Sequence, residues 1–280
     1  EKLDYLFVDE AGQLSVADIV AISMSAKNIV IIGDQMQLSS PTSALHPGES
    51  GKSIPEYLLE NQDTIPSDKG VFIERSRRLH PDICKFVSEN FYDNRLKSLE
   101  FTKKRKINFS KKEKLLPNTG IVFIDAEHKE ICRQKSVEEA KIIKDLYEKI
   151  VGTSFTGVDE DENTIDRPLD IKDILVVAPF NVQVNYLKSI LPKNSRVGTI
   201  DKFQGQESKV VFISMTSSNP ENLPRHKEFF FSRNRLNVAI SRAQCVAIIL
   251  FNPNLLLTNC EKINEMRLVN NFCKLIKFEV

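Results

Sequence analysis

The 280-residue sequence contains no tryptophan. No indole is available to stack on bases, so any stacking falls to phenylalanine, tyrosine or arginine. It has no CxxC pair, and its five cysteines (Cys84, Cys132, Cys245, Cys260 and Cys273) are scattered and odd in number. That pattern suggests neither a zinc site nor a disulfide framework, and a reducing, cytoplasmic setting is the default expectation. No apolar run approaches the roughly 18 residues of a membrane span, so no membrane association is expected. The opening EKLDYLFVDEAGQL is not a signal peptide, because no basic segment precedes a long apolar one. Net charge is nearly absent: 39 Lys+Arg against 38 Asp+Glu leave +1. As an average, that balance argues against a uniformly basic nucleic-acid binder. No internal repeat is visible, and nothing indicates an oligomeric state.

What is present is globular in character. Hydrophobic residues make up 41% and charged residues 28%, which excludes a wholly disordered or fibrous chain. At roughly 150 residues per domain the length suggests about two domains. Short apolar runs at 5–8, 29–32, 121–124, 174–178, 210–214 and 246–251 read as strands. They are apolar throughout rather than alternating, as expected of parallel strands covered on both faces. Helical patterns lie at about 16–26, 81–92, 136–151 and 181–191. Strand alternating with helix predicts an α/β fold with a parallel sheet. Residues 5–8 read as buried strand with no room for a preceding element, as if the chain began inside a domain.

Charge is segregated. Residues 1–75 hold 12 acids and 5 bases, a net of −7, which leaves +8 for the remaining 205. A domain break is therefore expected near residue 75, giving 1–75 and 76–280. The stretch 95–114 has nine bases and two acids, and 159–173 has seven acids and two bases. The second stretch, with Gly152 and Gly157 before it, reads as a solvated loop leading to the strand at 174.

Asp9 and Glu10 follow an apolar strand directly. In open α/β sheets, ligands bind beyond the carboxyl ends of strands. An aspartate there can hold Mg²⁺, a hard cation that prefers oxygen, and a neighbouring glutamate can polarise an attacking water. A solvated strand end is the alternative. The same form recurs in IVIIGDQMQLSSP, where Gly33 permits a sharp turn, Asp34 follows, and Gln37 can reach a phosphate or water.

Together DEAGQ, GDQMQLSSP, SRRLHP, TIDKFQGQES and NVAISRA occur in that order. They resemble motifs II to VI of superfamily 1 helicases, and most closely the up-frameshift-like, 5′-to-3′ group. Ala178, Pro179 and Phe180, followed by Gln183, resemble an additional motif of that group. The resemblance runs from about residue 4 to 251. It implies two RecA-like domains, the first represented by 1–75 and the second by 76–280, with ATP in the cleft between them. It implies Asp9 as the Mg²⁺-linked acid, Glu10 as the base and Gln37 as a γ-phosphate sensor. Arg78 and Arg242 take the positions of arginines that face the terminal phosphate, where a planar guanidinium neutralises developing charge. Gly33, Asp34, Gln204, Gly205 and Glu207 are implied on the nucleotide side, and Pro179, Phe180, Thr199 and Asp201 toward nucleic acid. His80 and Pro81 look like helix-start residues, His80 structural rather than catalytic.

The sequence departs from the family pattern twice. Arg77 stands where an aromatic usually precedes the motif IV arginine. No phosphate-binding loop precedes Asp9, so the chain is expected to be the C-terminal motor portion of a longer helicase. The missing part of the first RecA-like domain would then be its partner, and the fragment alone inactive. The segment HPGESGKS at 46–53 imitates such a loop. It lacks the first glycine and a preceding strand, and it falls after the acid pair, so a surface loop is expected. In the basic stretch, Lys103, Lys104, Arg105 and Lys106 can neutralise the phosphates of single-stranded DNA or RNA. A solvated lysine-rich loop is the alternative. For the whole chain the competing function is a non-catalytic nucleic-acid-binding or scaffold module that has kept the fold.

Overall fold

A computed structural model describes residues 2–38, 46–60, 62–109, 116–159, 163–203, 205–218 and 230–276. The chain forms two compact units. The first comprises Glu1–Ile73 with Phe91–Asp93, and the second Glu74–Asn90 with Asn94–Val280.

In the first unit, strand β1 (Leu3–Val8) leads through helix α1 (Val16–Ser23) to strand β2 (Ala26–Ile31). The two strands pair in parallel, with Val8 opposite Ile31. The crossover helix starts on a capping box: the Ser15 hydroxyl accepts from Asp18 N–H, and the Asp18 carboxylate accepts from Ser15 N–H. This satisfies two of the donors that a helix start leaves open. A short helix α2 (Ile54–Leu59) follows, capped by Ser53. Val8, Ala11, Ile19 and Ile54 form the small core. The expectation of a strand covered on both faces fails for β1. Leu3, Tyr5 and Phe7 are 61%, 59% and 67% exposed, because the side chains of a strand alternate and this unit covers one face only.

The second unit is built on a five-stranded parallel sheet. A short strand β3 (Arg75–Ser76), helix α3 (Pro81–Phe91) and strand β4 (Lys97–Ser98) come first. Strands β5 (Lys106–Asn108) and β6 (Gly120–Asp125) and helix α4 (Val137–Ile150) follow. Then come β7 (Ser154–Val158), β8 (Thr164–Pro168), β9 (Ile174–Val177) and helix α5 (Asn181–Ile190). The unit continues with β10 (Arg196–Gly198), β11 (Ser208–Ser214), helix α6 (Arg233–Ser241), β12 (Ala243–Phe251) and helix α7 (Ile263–Ile276). The strand order is β10-β9-β11-β12-β6. All nine residues of β12 are buried, as the continuous apolar run requires. Ile143 and Tyr147 of α4 and Val184 and Leu187 of α5 pack with Val176, Phe212 and Ile248 of the sheet. Each such side chain contributes roughly 1.5–3 kcal/mol by leaving water.

The stretch 159–173 is more than a solvated loop, since it contains strand β8 and part of the turn before β9. β7 and β8 form an antiparallel hairpin, and β5 adds a third strand on the other side of β7. The sheet is held by buried Phe155, whose ring lies 5.7 Å from the Arg167 guanidinium and 5.1 Å from the Lys209 ammonium. Residues 160–162 of the expected loop lie outside the described residues.

Candidate functional site

In the first unit the candidate residues gather at the carboxyl ends of β1 and β2. Ile32 N–H donates to Val8 O at 2.8 Å, and Ala11 N–H donates to Ile32 O at 2.9 Å. The ladder thus continues past both strands and sets DEAG against GD. A Cβ on Gly33 would lie 2.9 Å from the Gly12 nitrogen and 3.1 Å from that of Ala11. A Cβ on Gly12 would lie 3.0 Å from Asp34 O. Backbone therefore meets backbone here, and only glycine fits. Gly33→Ala is expected to lower the stability of this unit by about 1–3 kcal/mol through overpacking. A urea titration monitoring Asp34–Tyr92 environment checks it, and an unchanged midpoint would refute the tight fit.

Asp9 is exposed, and its Oδ1 accepts from Glu10 N–H at 2.8 Å. Glu10 is also exposed and sits in the left-handed region, at φ 51° and ψ 37°. Glutamate rarely adopts that conformation, which costs about 1–2 kcal/mol. Strain of this kind collects at functional sites. Asp34 Oδ1 accepts from Met36 N–H at 2.9 Å. Its Oδ2 accepts from Gln37 Nε2 at 3.1 Å and from the Tyr92 hydroxyl at 2.6 Å. Asp34 thus holds Gln37 rather than facing outward alone. Tyr92 carries no sequence signal; it lies 58 residues from Asp34.

Residues 46–53 form turns that lead into α2. The Lys52 ammonium is ion-paired with Glu49, and the Ser53 hydroxyl accepts from Glu56 N–H at 3.4 Å. The resemblance to a phosphate-binding loop is confined to the letters.

In the second unit Arg78, Glu207 and Arg242 come together from three distant segments. Arg78 Nε donates to Glu207 Oε2 at 2.6 Å, and its Nη1 donates to Ser241 O at 3.3 Å. Glu207 Oε1 accepts from Gln244 Nε2. Arg242 is 3% exposed. It ends α6, and its Nη1 donates to Gln206 O at 3.3 Å. Gly205 takes φ 76° between them, and Gln204 lies outside the described residues. Arg105 is drawn into the same region: its Nη1 donates to Arg77 O at 3.0 Å and Arg78 O at 2.6 Å. Arg77 and Arg105 place their guanidiniums 5.2 and 5.3 Å from the Phe101 ring. An aromatic thus still packs at the motif IV strand, supplied from 23 residues downstream of Arg78.

His80 is buried, and its Nδ1 accepts from Asp82 N–H at 3.2 Å. Burial pushes the imidazole below its ordinary 6.5, against the opposing pull of the Asp82 carboxylate. The unfolded chain then takes up the proton more readily, so stability is lost as pH falls below about 6.5. His80→Gln is expected to flatten that dependence. Urea midpoints of both proteins on either side of pH 6.5 check this, and parallel curves would refute it.

The residues expected to face nucleic acid are distributed at the carboxyl end of β9 and after β10. Phe180 is buried and cannot stack on a base, whereas Pro179 is half-buried. Pro179 and Ile200 line an apolar pocket with Phe230, Phe231 and Leu236. Thr199 is half-buried, and exposed Asp201 pairs with Arg235 Nη1 at 3.2 Å. Lys103 pairs with Glu100 at 2.7 Å. Lys104 and Lys106 are exposed. Arg105, by contrast, is committed to main-chain carbonyls. Lys111, Lys112 and Lys114 lie outside the described residues. Among the described residues, no cluster of three metal-ligating side chains is present and no helix is long and apolar enough to cross a membrane.

The five-stranded parallel α/β sheet is of the RecA-like type of fold. A model of the AAA domain family matches residues 51–254, and the chain belongs to that family, within the up-frameshift-like group of superfamily 1 helicases. It is 27% identical over 270 residues to the DNA polymerase alpha-associated DNA helicase A of Schizosaccharomyces pombe, covering 91% of this chain and 38% of that protein. It is 26% identical to the putative helicase MOV-10 of Gallus gallus, covering 90% and 30%. The helicase SEN1 of Saccharomyces cerevisiae is 25% identical over 87% of this chain and 11% of its own. The chain thus spans well under half the length of these relatives. Among solved structures, the arterivirus nonstructural protein 10 helicase aligns with 88% of this chain and 38% of its own, at 16% identity and a TM-score of 0.42. That likeness is too loose to bear on function.

Proposed function

We propose that the chain is the motor portion of an ATP-dependent helicase that couples Mg²⁺-ATP hydrolysis to movement along single-stranded DNA or RNA. The observation that carries this reading is the strained Glu10 beside Asp9, seated against Gly33–Asp34–Gln37 at adjoining strand ends. A scaffold has no physical need for an exposed acid pair held at a backbone cost.

In this reading Asp9, whose Oδ1 accepts from Glu10 N–H, would hold the Mg²⁺ ion. One exposed carboxylate with water around it fits Mg²⁺, which keeps most of its hydration and binds phosphate oxygens for the rest. A Mg²⁺ held there would supply charge neutralisation for the phosphates. Glu10 accepts a proton from, and aims, the attacking water. Gln37, tied to Asp34, reports the terminal phosphate to the adjoining strand. Arg78 and Arg242 balance charge on the leaving phosphoryl group, with Glu207 orienting Arg78. Residues 46–53 offer no phosphate cradle, so these 280 residues alone are expected to bind ATP weakly.

The test is ATP hydrolysis by the full-length protein with and without a single-stranded oligonucleotide. Stimulation by the oligonucleotide is expected; Mg²⁺-ATP left intact in both conditions would sink the proposal. The basic stretch adds a second measurement. Replacing Lys103, Lys104 and Lys106 with alanine, while keeping Arg105, removes three possible phosphate contacts. The slope of log affinity against log salt is then expected to shrink by about two, at roughly 0.7 per contact on a single strand. An unchanged slope would make this stretch a solvated surface.

A further inference from the structure

Glu139 is a buried carboxylate that no step above uses. It is wholly buried and lies in the first turn of α4, three residues after the helix cap Ser136. Ser136 with glutamate three residues on has the form of a capping box, in which the glutamate would accept from Ser136 N–H. The structure diverts both partners. Ser136 N–H donates instead to Gln183 Oε1 at 2.9 Å. The Glu139 carboxylate accepts from Thr216 N–H at 2.9 and 3.0 Å and from the Ser214 hydroxyl at 2.5 Å. His128 Nε2 lies 3.2 Å from Oε1, and its side chain is 1% exposed. Nδ1 of that ring is buried without a hydrogen-bond partner. Nε2 also lies 3.0 Å from the Ser136 hydroxyl.

The residue that Glu139 grips is itself strained. Thr216 is buried and takes φ 69°, a left-handed conformation unfavourable for a β-branched side chain. Such conformations persist only where the surroundings over-determine them. Here Glu139 holds the Thr216 N–H, Met215 N–H donates to Leu250 O at 2.9 Å, and Ser218 N–H donates to Cys132 O at 2.9 Å. The same network reaches the neighbouring strand end. Gln183 Nε2 donates to Ser136 O at 3.0 Å and to Ser214 Oγ at 3.3 Å. Gln183 stands in the first turn of α5, three residues after Phe180. The ends of β9 and β11, paired through Val177 and Ile213, are thus tied to one buried carboxylate.

We propose that Glu139 is a positioning residue for nucleic-acid engagement, holding the buried 214–218 turn and, through Gln183, the half-buried Pro179 at the end of β9 in one fixed arrangement. This rests on the helicase reading above. It assigns Glu139 to the strand-binding side and not to ATP. Glu139→Gln keeps the shape but removes the charge-assisted hydrogen bonds to Thr216 and Ser214.

The measurement is ATP turnover by the full-length protein, titrated separately with poly(U), poly(dT) and ATP. Glu139→Gln is expected to raise the half-saturating polynucleotide concentration about tenfold, with KM for ATP unchanged. Adding Thr216→Gly should recover part of that loss, since glycine takes a positive φ without strain. An unchanged half-saturating concentration overturns the proposal, as does failure of the glycine to rescue. A parallel rise in KM for ATP would mark a general loss of structure and overturns it too. If the wild-type protein itself neither binds polynucleotide nor hydrolyses ATP, the helicase reading falls first. A normal wild type with an unaffected Glu139→Gln rejects only the positioning role.

Discussion

Arg242→Lys is expected to cut ATP turnover by about 10³–10⁵-fold, the range over which an arginine facing the transferred phosphoryl group acts. Its place in the fold makes the guanidinium unusually well prepared. It is 3% exposed, closes α6, and precedes the fully buried strand β12. Its carbonyl accepts from Ser208 N–H at 2.9 Å, and its Nη1 is held by Gln206 O. The first bond fixes the Arg242 backbone and the second, with burial, restrains its guanidinium, so a reduced ordering cost is expected at the moment of reaction. Lysine preserves the charge and much of the packing but loses the planar fork. The loss should appear in kcat, with a smaller change in KM for ATP. Turnover within tenfold of wild type would remove Arg242 from the reaction. A circular dichroism melt separates this outcome from unfolding, which alanine at this buried position would risk.

Glu10→Gln is expected to lower turnover by about 10²–10⁴-fold, the usual contribution of a positioned base. Glutamine keeps size and hydrogen bonding but cannot take the proton. The backbone permits a sharper version of the experiment. Because Glu10 occupies φ 51°, Glu10→Gly relieves left-handed strain of about 1–2 kcal/mol. Glycine should therefore leave stability unchanged or raised while turnover is lost as completely as with glutamine. A glycine variant that unfolds at clearly lower urea would mean the conformation is not strained. A glutamine variant with wild-type turnover would mean that Glu10 is not the base.

Much of the sheet was legible because parallel strands covered on both faces must be apolar along their length. The runs at 174–178, 210–214 and 246–251 became β9, β11 and β12 for that reason. The same rule misled at β1, where an equally apolar run leaves Leu3, Tyr5 and Phe7 exposed. Apolarity shows that a face can be buried, not that anything covers it within these residues. The three-stranded sheet of β5, β7 and β8 was missed because its strands are short and polar-rich, and β8 buries none of its residues. The acidic run at the hairpin connection hid the rest of the pattern.

The sequence alone determined which residue types stand at which strand ends: Asp9 and Glu10 after β1, Gly33 and Asp34 after β2, Arg242 before β12. Covalent order does this, because a motif's neighbours in the chain remain its neighbours in the fold. Only the tertiary structure decided what each side chain touches. Arg78 meets Glu207 across 129 residues, and Arg105 turns from a candidate phosphate contact into a support for the Arg78 backbone. Glu139 leaves its own helix cap for a turn 77 residues away. Hydrogen bonds are settled over ångströms, and pairing across long stretches of chain depends on how the whole sheet closes, which no local pattern of residues encodes.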